Sequence, residues 1–136
     1  MKSIFTLMLS LAALFAVSLS SLAAPVYAQG ATAHHNNVSS GKACADCAAT
    51  CEKTLAYFQK KGGKYAEAKK QDVLKDCIAL CKASADLKSR NSAHAAKLDA
   101  VCNEVCKQCA EMCKELKDPA LKDCIQSCET CHDCCG

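Results

Sequence analysis

Cysteine spacing constrains this chain more than any other feature. Cys102, Cys106, Cys109 and Cys113 stand four, three and four residues apart. Cys124, Cys128, Cys131 and Cys135 repeat that spacing. Upstream lie Cys44, Cys47 and Cys51, with Ser40 where a fourth member would fall. Cys77 and Cys81 form a shorter set, with Ser84 at the next step. One register thus takes in thirteen of the fourteen cysteines, and Cys134 stands off it. At about 100° per residue, each set of four covers about 60° of arc on an α-helix. On a strand the three-residue step would put the two halves of each set on opposite faces. The pattern therefore calls for helices, each with a stripe of thiols down one face.

The residues around the stripes agree. Ala, Lys, Glu and Leu dominate, and all are good helix formers. Four helices are expected: Lys42–Lys61, about Tyr65–Lys88, a third from just after Asn91 or Ser92 to about Lys117, and a fourth ending near Cys135. Ser39 or Ser40 suits the first cap, Gly62-Gly63 the first stop, and Asp118-Pro119 the start of the fourth helix. The short connections predict antiparallel neighbours, hence an all-α, up-down-up-down four-helix bundle over residues 42–136. In the third helix Leu98, Val105, Met112 and Leu116 flank the stripe, while Glu104, Lys107 and Lys114 point elsewhere. The face that should fill the bundle interior is largely sulfur. The four cysteines of the third helix extend over about 16 Å of axis.

The N-terminus has another character. Met1-Lys2 precedes an uncharged, apolar run from Ser3 to Ala24, and Val26-Tyr27-Ala28 offers small residues for cleavage after Ala28. This is the order of a secretory signal peptide. An earlier cut after Ala23 or Ala24 and an uncleaved anchor are the alternatives; several serines favour cleavage. No twin arginine is present, which predicts Sec export to the periplasm and no membrane attachment after cleavage. Residues 29–41, polar and small, read as a flexible leader. A net charge of +3, no Trp and 4% aromatic residues exclude the basic, ring-rich surface of a nucleic-acid binder.

Thiolates are soft ligands that select Cu(I), Zn or Fe–S. Cysteines at i, i+3 and i+4 share a helix face, so one helix can offer two sulfurs and a neighbour a third. Cu(I) accepts two or three sulfurs, and one Cu⁺ per thiolate is neutral, which suits a dry interior. Zn²⁺ usually takes four ligands in a closed tetrahedron, and stripes are a poor way to build such sites. The Fe–S spacings are not matched. The candidate ligands are Cys44, Cys47, Cys51, Cys77, Cys81, Cys102, Cys106, Cys109, Cys113, Cys124, Cys128, Cys131, Cys134 and Cys135. The rival reading is a disulfide-stapled secreted bundle acting as a structural or interaction module. It suits Cys77/Cys81 against Cys102/Cys106 but explains the long stripes less well, because disulfides need particular Cβ vectors. A redox enzyme is the weaker alternative. Cys44/Cys47 is a C-x₂-C near a helix start, but it lacks the strand context of a thioredoxin-like site. The chain therefore reads as a non-enzyme. Met112 lies about 80° from the stripe centre and reads as core. His34, His35, His94 and His132 map to one pole of the bundle, as transient ligands at a metal mouth or as solvated side chains. Tyr57, Phe58 and Tyr65 read as a plug at the other pole. Lys60, Lys61, Lys64, Lys69 and Lys70 read as solvated surface.

The C-x₂-C-x₃-C of Cys44, Cys47 and Cys51, the C-x₃-C of Cys77 and Cys81, and the two C-x₃-C-x₂-C-x₃-C runs resemble the bacterial four-helix-bundle copper storage proteins. The likeness covers about Lys42 to Gly136. It implies a lumen that binds many Cu(I) ions through thiolates. It also implies a homo-oligomer, typically a tetramer, that stores, supplies or detoxifies copper and passes it to copper-dependent recipient proteins. Two features depart from the family: the absent twin arginine, which implies loading after export, and the adjacent Cys134-Cys135.

Overall fold

A computed structural model describes residues 28–135; the segment read as a signal peptide lies outside them except for Ala28. The side chains of residues 28–38, His34 and His35 among them, also lie outside the described part. Four helices follow in order: α1 (Ala28–Lys61), α2 (Ala68–Ser89), α3 (Ala95–Glu115) and α4 (Lys122–Cys135). Each packs against two neighbours, α1 on α2 and α4, and α3 on α2 and α4. With short connections this is the up-down-up-down bundle expected from the spacing. Among the described residues no helix is long and apolar enough to cross a membrane.

The helix ends have local causes. Gly62 and Gly63 take positive φ, 68° and 57°, and so end α1 at the cost only glycine avoids. Asp118 accepts from the Ala120 N–H at 3.0 Å, and Pro119 opens a 3₁₀ turn that leads into α4. Helix α1 begins earlier than Lys42. Residues 29–41, read as a leader, are helical here, because extending a helix already anchored by packing costs far less than nucleating one. Ser40 therefore lies inside α1, not at its cap, and is buried. At α3 the position before the helix is His94, whose N–H donates to Ser92 Oγ at 3.3 Å.

One buried register runs through all four helices. In α1 it is Ser40, Cys44, Cys47, Cys51, Thr54 and Phe58; in α2, Leu74, Cys77, Cys81, Ser84 and Lys88. In α3 it runs Cys102, Cys106, Cys109, Cys113 and Leu116, and from the 3₁₀ turn into α4, Leu121, Cys124, Cys128, Cys131 and Cys135. Sulfur fills the middle. Phe58, Leu74, Leu116, Leu121 and Tyr65 close one end. There Phe58 and Tyr65 meet edge to face at 5.2 Å between ring centroids, and Tyr57 lies 5.9 Å from Tyr65. This is the aromatic plug the sequence suggested. Met112 packs as a half-buried member of the core.

Two lysines, exposed as the sequence suggested, also pack against the rim of that plug. Lys61 Nζ lies 4.4 Å from the Tyr65 ring centroid and 2.6 Å from Asp118 Oδ2. Lys64 donates to the Leu116 carbonyl at 3.2 Å. The Tyr57 and Tyr65 hydroxyls both donate to Asp118 Oδ2 at 2.8 Å. One carboxylate thus joins α1, the turn after it and the α3–α4 connection. Lys61 first, then the two tyrosines, hold the Asp118 carboxyl well below the usual carboxylate range. Its contribution is complete above about pH 4, where the unfolded carboxyl is ionised, and fades as pH falls toward the depressed folded value. Asp118→Asn should therefore lower the thermal midpoint at neutral pH. Its deficit relative to the parent should shrink steadily below about pH 4. A deficit unchanged down to pH 2 in parallel melts would contradict this role.

Candidate metal centre

The 3-and-4 spacing turns every thiol of the register toward the bundle axis, and the short cysteine side chain lets sulfurs from different helices meet there. Among the described residues four groups of four result, with the Sγ atoms of each group within 4.8 Å of one another. From the end where α4 finishes, the first is Cys44, Cys102, Cys131 and Cys135, and the second is Cys47, Cys81, Cys106 and Cys131. The third is Cys47, Cys51, Cys77 and Cys128, and the fourth is Cys51, Cys109, Cys124 and Cys128. The groups overlap. Cys131 links the first two, Cys47 the second and third, and Cys51 with Cys128 the third and fourth. Cys113 extends the column toward the aromatic end, 3.7 Å from Cys124.

The thirteen register cysteines are all buried, and Cys134 is exposed. The structure thus brings together every sequence-nominated ligand except Cys134, which points away from the column because it lies off the register.

Single pairing does not describe the thiols. Cys51 Sγ lies 3.7 Å from both Cys77 and Cys128, and 3.9 Å from both Cys109 and Cys124. Cys81 Sγ lies 3.5 Å from Cys106, 3.6 Å from Cys102 and 3.8 Å from Cys131. A disulfide is about 2.05 Å long and gives each sulfur one partner. Three sulfurs around one ion at about 2.3 Å would stand about 4.0 Å apart. The spacing therefore suits sulfurs that share an ion.

Protons are shared as well. Hydrogen bonds to Cys109, Cys124, Cys47 and Cys51, then burial, push the Cys128 thiol up. Bonds to Cys102, Cys106, Cys131 and Cys47, then burial, do the same for Cys81. Hydrogen bonding with Cys106, Cys128, Cys131 and Cys51 holds the Cys47 thiol down despite its burial. Any ion entering the column displaces protons held by a network.

The histidine pole is partly resolved into contacts. His94 is exposed. His132 is half-buried, with Nδ1 3.3 Å from the Asn103 carbonyl, while Asn103 Nδ2 donates to the His132 carbonyl at 3.0 Å. That ring therefore docks on the α3 backbone. The residue the spacing had not flagged is Lys88. It is only 1% exposed, and its Nζ lies 3.5 Å from Cys135 Sγ. A signal was present: Cys77, Cys81, Ser84 and Lys88 keep the 4, 3, 4 spacing of the other helices.

A thiol count follows from this burial. Under native, reduced conditions a bulky disulfide reagent should modify one thiol per chain rapidly, Cys134, and the other thirteen only slowly or after unfolding. Cys134→Ser should abolish the rapid phase. Rapid reaction of several thiols in that variant would show that the column is open.

Comparison with known proteins gives the same direction. The profile of a family described as Copper storage protein matches residues 31–136. A crystal structure of a protein from Nitrosospira multiformis superposes with a TM-score of 0.70 at 27% identity, covering 74% of this chain and 92% of that one. No curated protein matches the chain.

Proposed function

Because the chain belongs to the copper storage protein family, we propose that it is an exported store holding many Cu(I) ions on the thirteen buried thiolates. The observation that carries this reading is the overlap of the four thiol groups. Separate sites would keep their ligands to themselves, whereas shared sulfurs suit an ion that accepts two or three ligands and lets neighbours bridge. Charge points the same way. Replacing a thiol proton by Cu⁺ leaves the column neutral. Zn²⁺ in a four-thiolate site would leave two negative charges in a dry interior. The signal-like N-terminus supports export to the periplasm by the Sec route, with cleavage near Ala28 and loading afterwards. Assembly into a homo-oligomer and delivery to copper-dependent proteins complete the reading, and nothing in it calls for catalysis.

Anaerobic Cu(I) titration of the reduced protein against a competing chelator tests the proposal. Uptake should approach one ion per register cysteine, with little change in helix content. Binding should release protons, and apparent affinity should fall as pH is lowered, since hydrogen bonding and then burial hold thiols such as Cys81 and Cys128 protonated. No uptake by a protein with a full thiol count would overturn the reading. A freshly isolated protein with no titratable thiols would support the disulfide alternative. The overlap also ranks single substitutions. Cys51→Ser, at a position shared by two groups, should reduce capacity more than Cys113→Ser, which belongs to none of the four. Equal losses would argue against shared ligands.

A further inference from the structure

The two ends of the thiol column are closed by different chemistry. At the aromatic end the register continues into Phe58, Leu74, Leu116 and Leu121. At the other end it continues into Ser40 on α1, Ser84 and Lys88 on α2, and Cys135 on α4. Cys135 is 8% exposed, the highest value in the column, so this is the end nearest solvent.

Lys88 sits across that end. Its Nζ lies 3.0 Å from Ser40 Oγ, 2.9 Å from Asp99 Oδ1 and 3.5 Å from Cys135 Sγ. One ammonium on α2 therefore touches a residue from each of the other three helices. The α1 backbone roofs its stem closely. A Cβ on Gly41 would stand 3.2 Å from Lys88 Cβ, so the approach depends on glycine at that point.

Packing alone does not explain an ammonium here. Burying a charge is costly, and a well-packed apolar side chain commonly serves stability as well or better. The opposite end uses apolar side chains in the same register. What the polar closure offers is reversibility. Hydrogen bonds exchanged for water change the free energy little, and a four-carbon stem lets the ammonium swing out. Withdrawing an aromatic and aliphatic plug would expose apolar surface instead. On α2 this end carries a hydroxyl and an ammonium where the other helices carry sulfur. Among the described residues the buried Ser84 Oγ makes no hydrogen bond.

We propose that Lys88 is the gate of the thiol column: its ammonium closes the end formed by Cys44, Cys102, Cys131 and Cys135, and its displacement admits and releases copper there. The gate rests on the storage reading for its cargo, so its test includes an arm without copper.

In the reduced, metal-free protein, labelling by a small maleimide under native conditions, resolved by peptide mass spectrometry, gives a rate for each cysteine. Lys88→Ala should speed labelling of Cys44 and Cys135 by at least about tenfold, the scale expected when hydrogen bonds to a charged group are lost. Cys113, next to the sealed end, should keep the parent's rate. Asp99→Asn loosens the ammonium without altering the column and should speed the same two cysteines to a smaller extent. Circular dichroism checks that both variants keep their helices. In the copper arm, Lys88→Ala should transfer Cu(I) to bathocuproine disulfonate faster than the parent, with the number of ions bound unchanged. Parent-like labelling of Cys44 and Cys135 in both variants overturns the gate. So does an equal acceleration at Cys113, which would mean general loosening. If the parent takes up no Cu(I), the storage reading fails, and the labelling arm still decides whether Lys88 closes the column.

Discussion

The packing of small, buried thiols along one axis is the constraint on which the rest of this bundle depends. A cysteine side chain behaves in a core as a small hydrophobe. It contributes less buried area than Leu or Phe and adds a polarisable, weakly hydrogen-bonding atom. With sulfur at the centre, the helices can approach until Sγ atoms of neighbouring helices stand 3.4 to 3.9 Å apart. Bulkier residues at those positions would push the helices apart and scatter the sulfurs. The fold and the candidate site are therefore one object. The exposed ion pairs, such as Lys42–Asp46 and Lys82–Glu52, matter less, since exposed pairs of this kind contribute little.

A core of this kind leaves the ends to supply what sulfur does not. At one end, Phe58, Tyr65 and the leucines bury large apolar side chains, and Asp118 ties the tyrosine hydroxyls to Lys61. At the other, Lys88 joins the four helices through polar contacts. The first closure is hydrophobic and non-directional; the second is a set of individual bonds that water can replace. On the gate proposed for Lys88, that asymmetry gives the column a direction, with exchange at the polar end.

Much of this was legible in the sequence because the stripe encodes both helix and facing direction. Four residues at 4, 3, 4 spacing fix the secondary structure, the buried face and the register together. Repeating them on two helices fixes which faces meet. The off-register Cys134 was legible for the same reason. Lys88 was not, although it occupies the same spacing, because a lysine in a lysine-rich chain reads as solvated surface. Only the arrangement of Ser40, Asp99 and Cys135 around it makes burial tolerable, and those come from three other helices. Lys61 and Lys64 are exposed, as their composition suggests, but their contacts with the tyrosine rings, Asp118 and the Leu116 carbonyl were not legible on the same ground. For His132, helix geometry gave the pole but not the ring's partner, since docking on the Asn103 carbonyl depends on how close α3 and α4 lie. The early start of α1 has a related cause. Local composition around Gly30 and Asn36-Asn37 is weakly helical, and the anchored helix below it overrides that preference.

The thiol column also bears on how one fold can serve when empty and when full. A buried site that gains charge on loading must rearrange or recruit counter-ions, because a dry interior tolerates little unpaired charge. Lys88 is already paired with Asp99, so it is not a spare cation for such a change. An exchange of H⁺ for Cu⁺ at each thiol leaves the total charge of the column as it was. The shared hydrogen bonds between thiols then become shared coordination between the same sulfurs, over nearly the same distances. On the Cu(I) reading the protonated column is therefore a template for the loaded one. What loading changes is the strength of the links between helices, from weak S–H···S contacts to metal–thiolate bonds. The bundle should then become more stable as it fills, in proportion to the ions bound and without a change of shape.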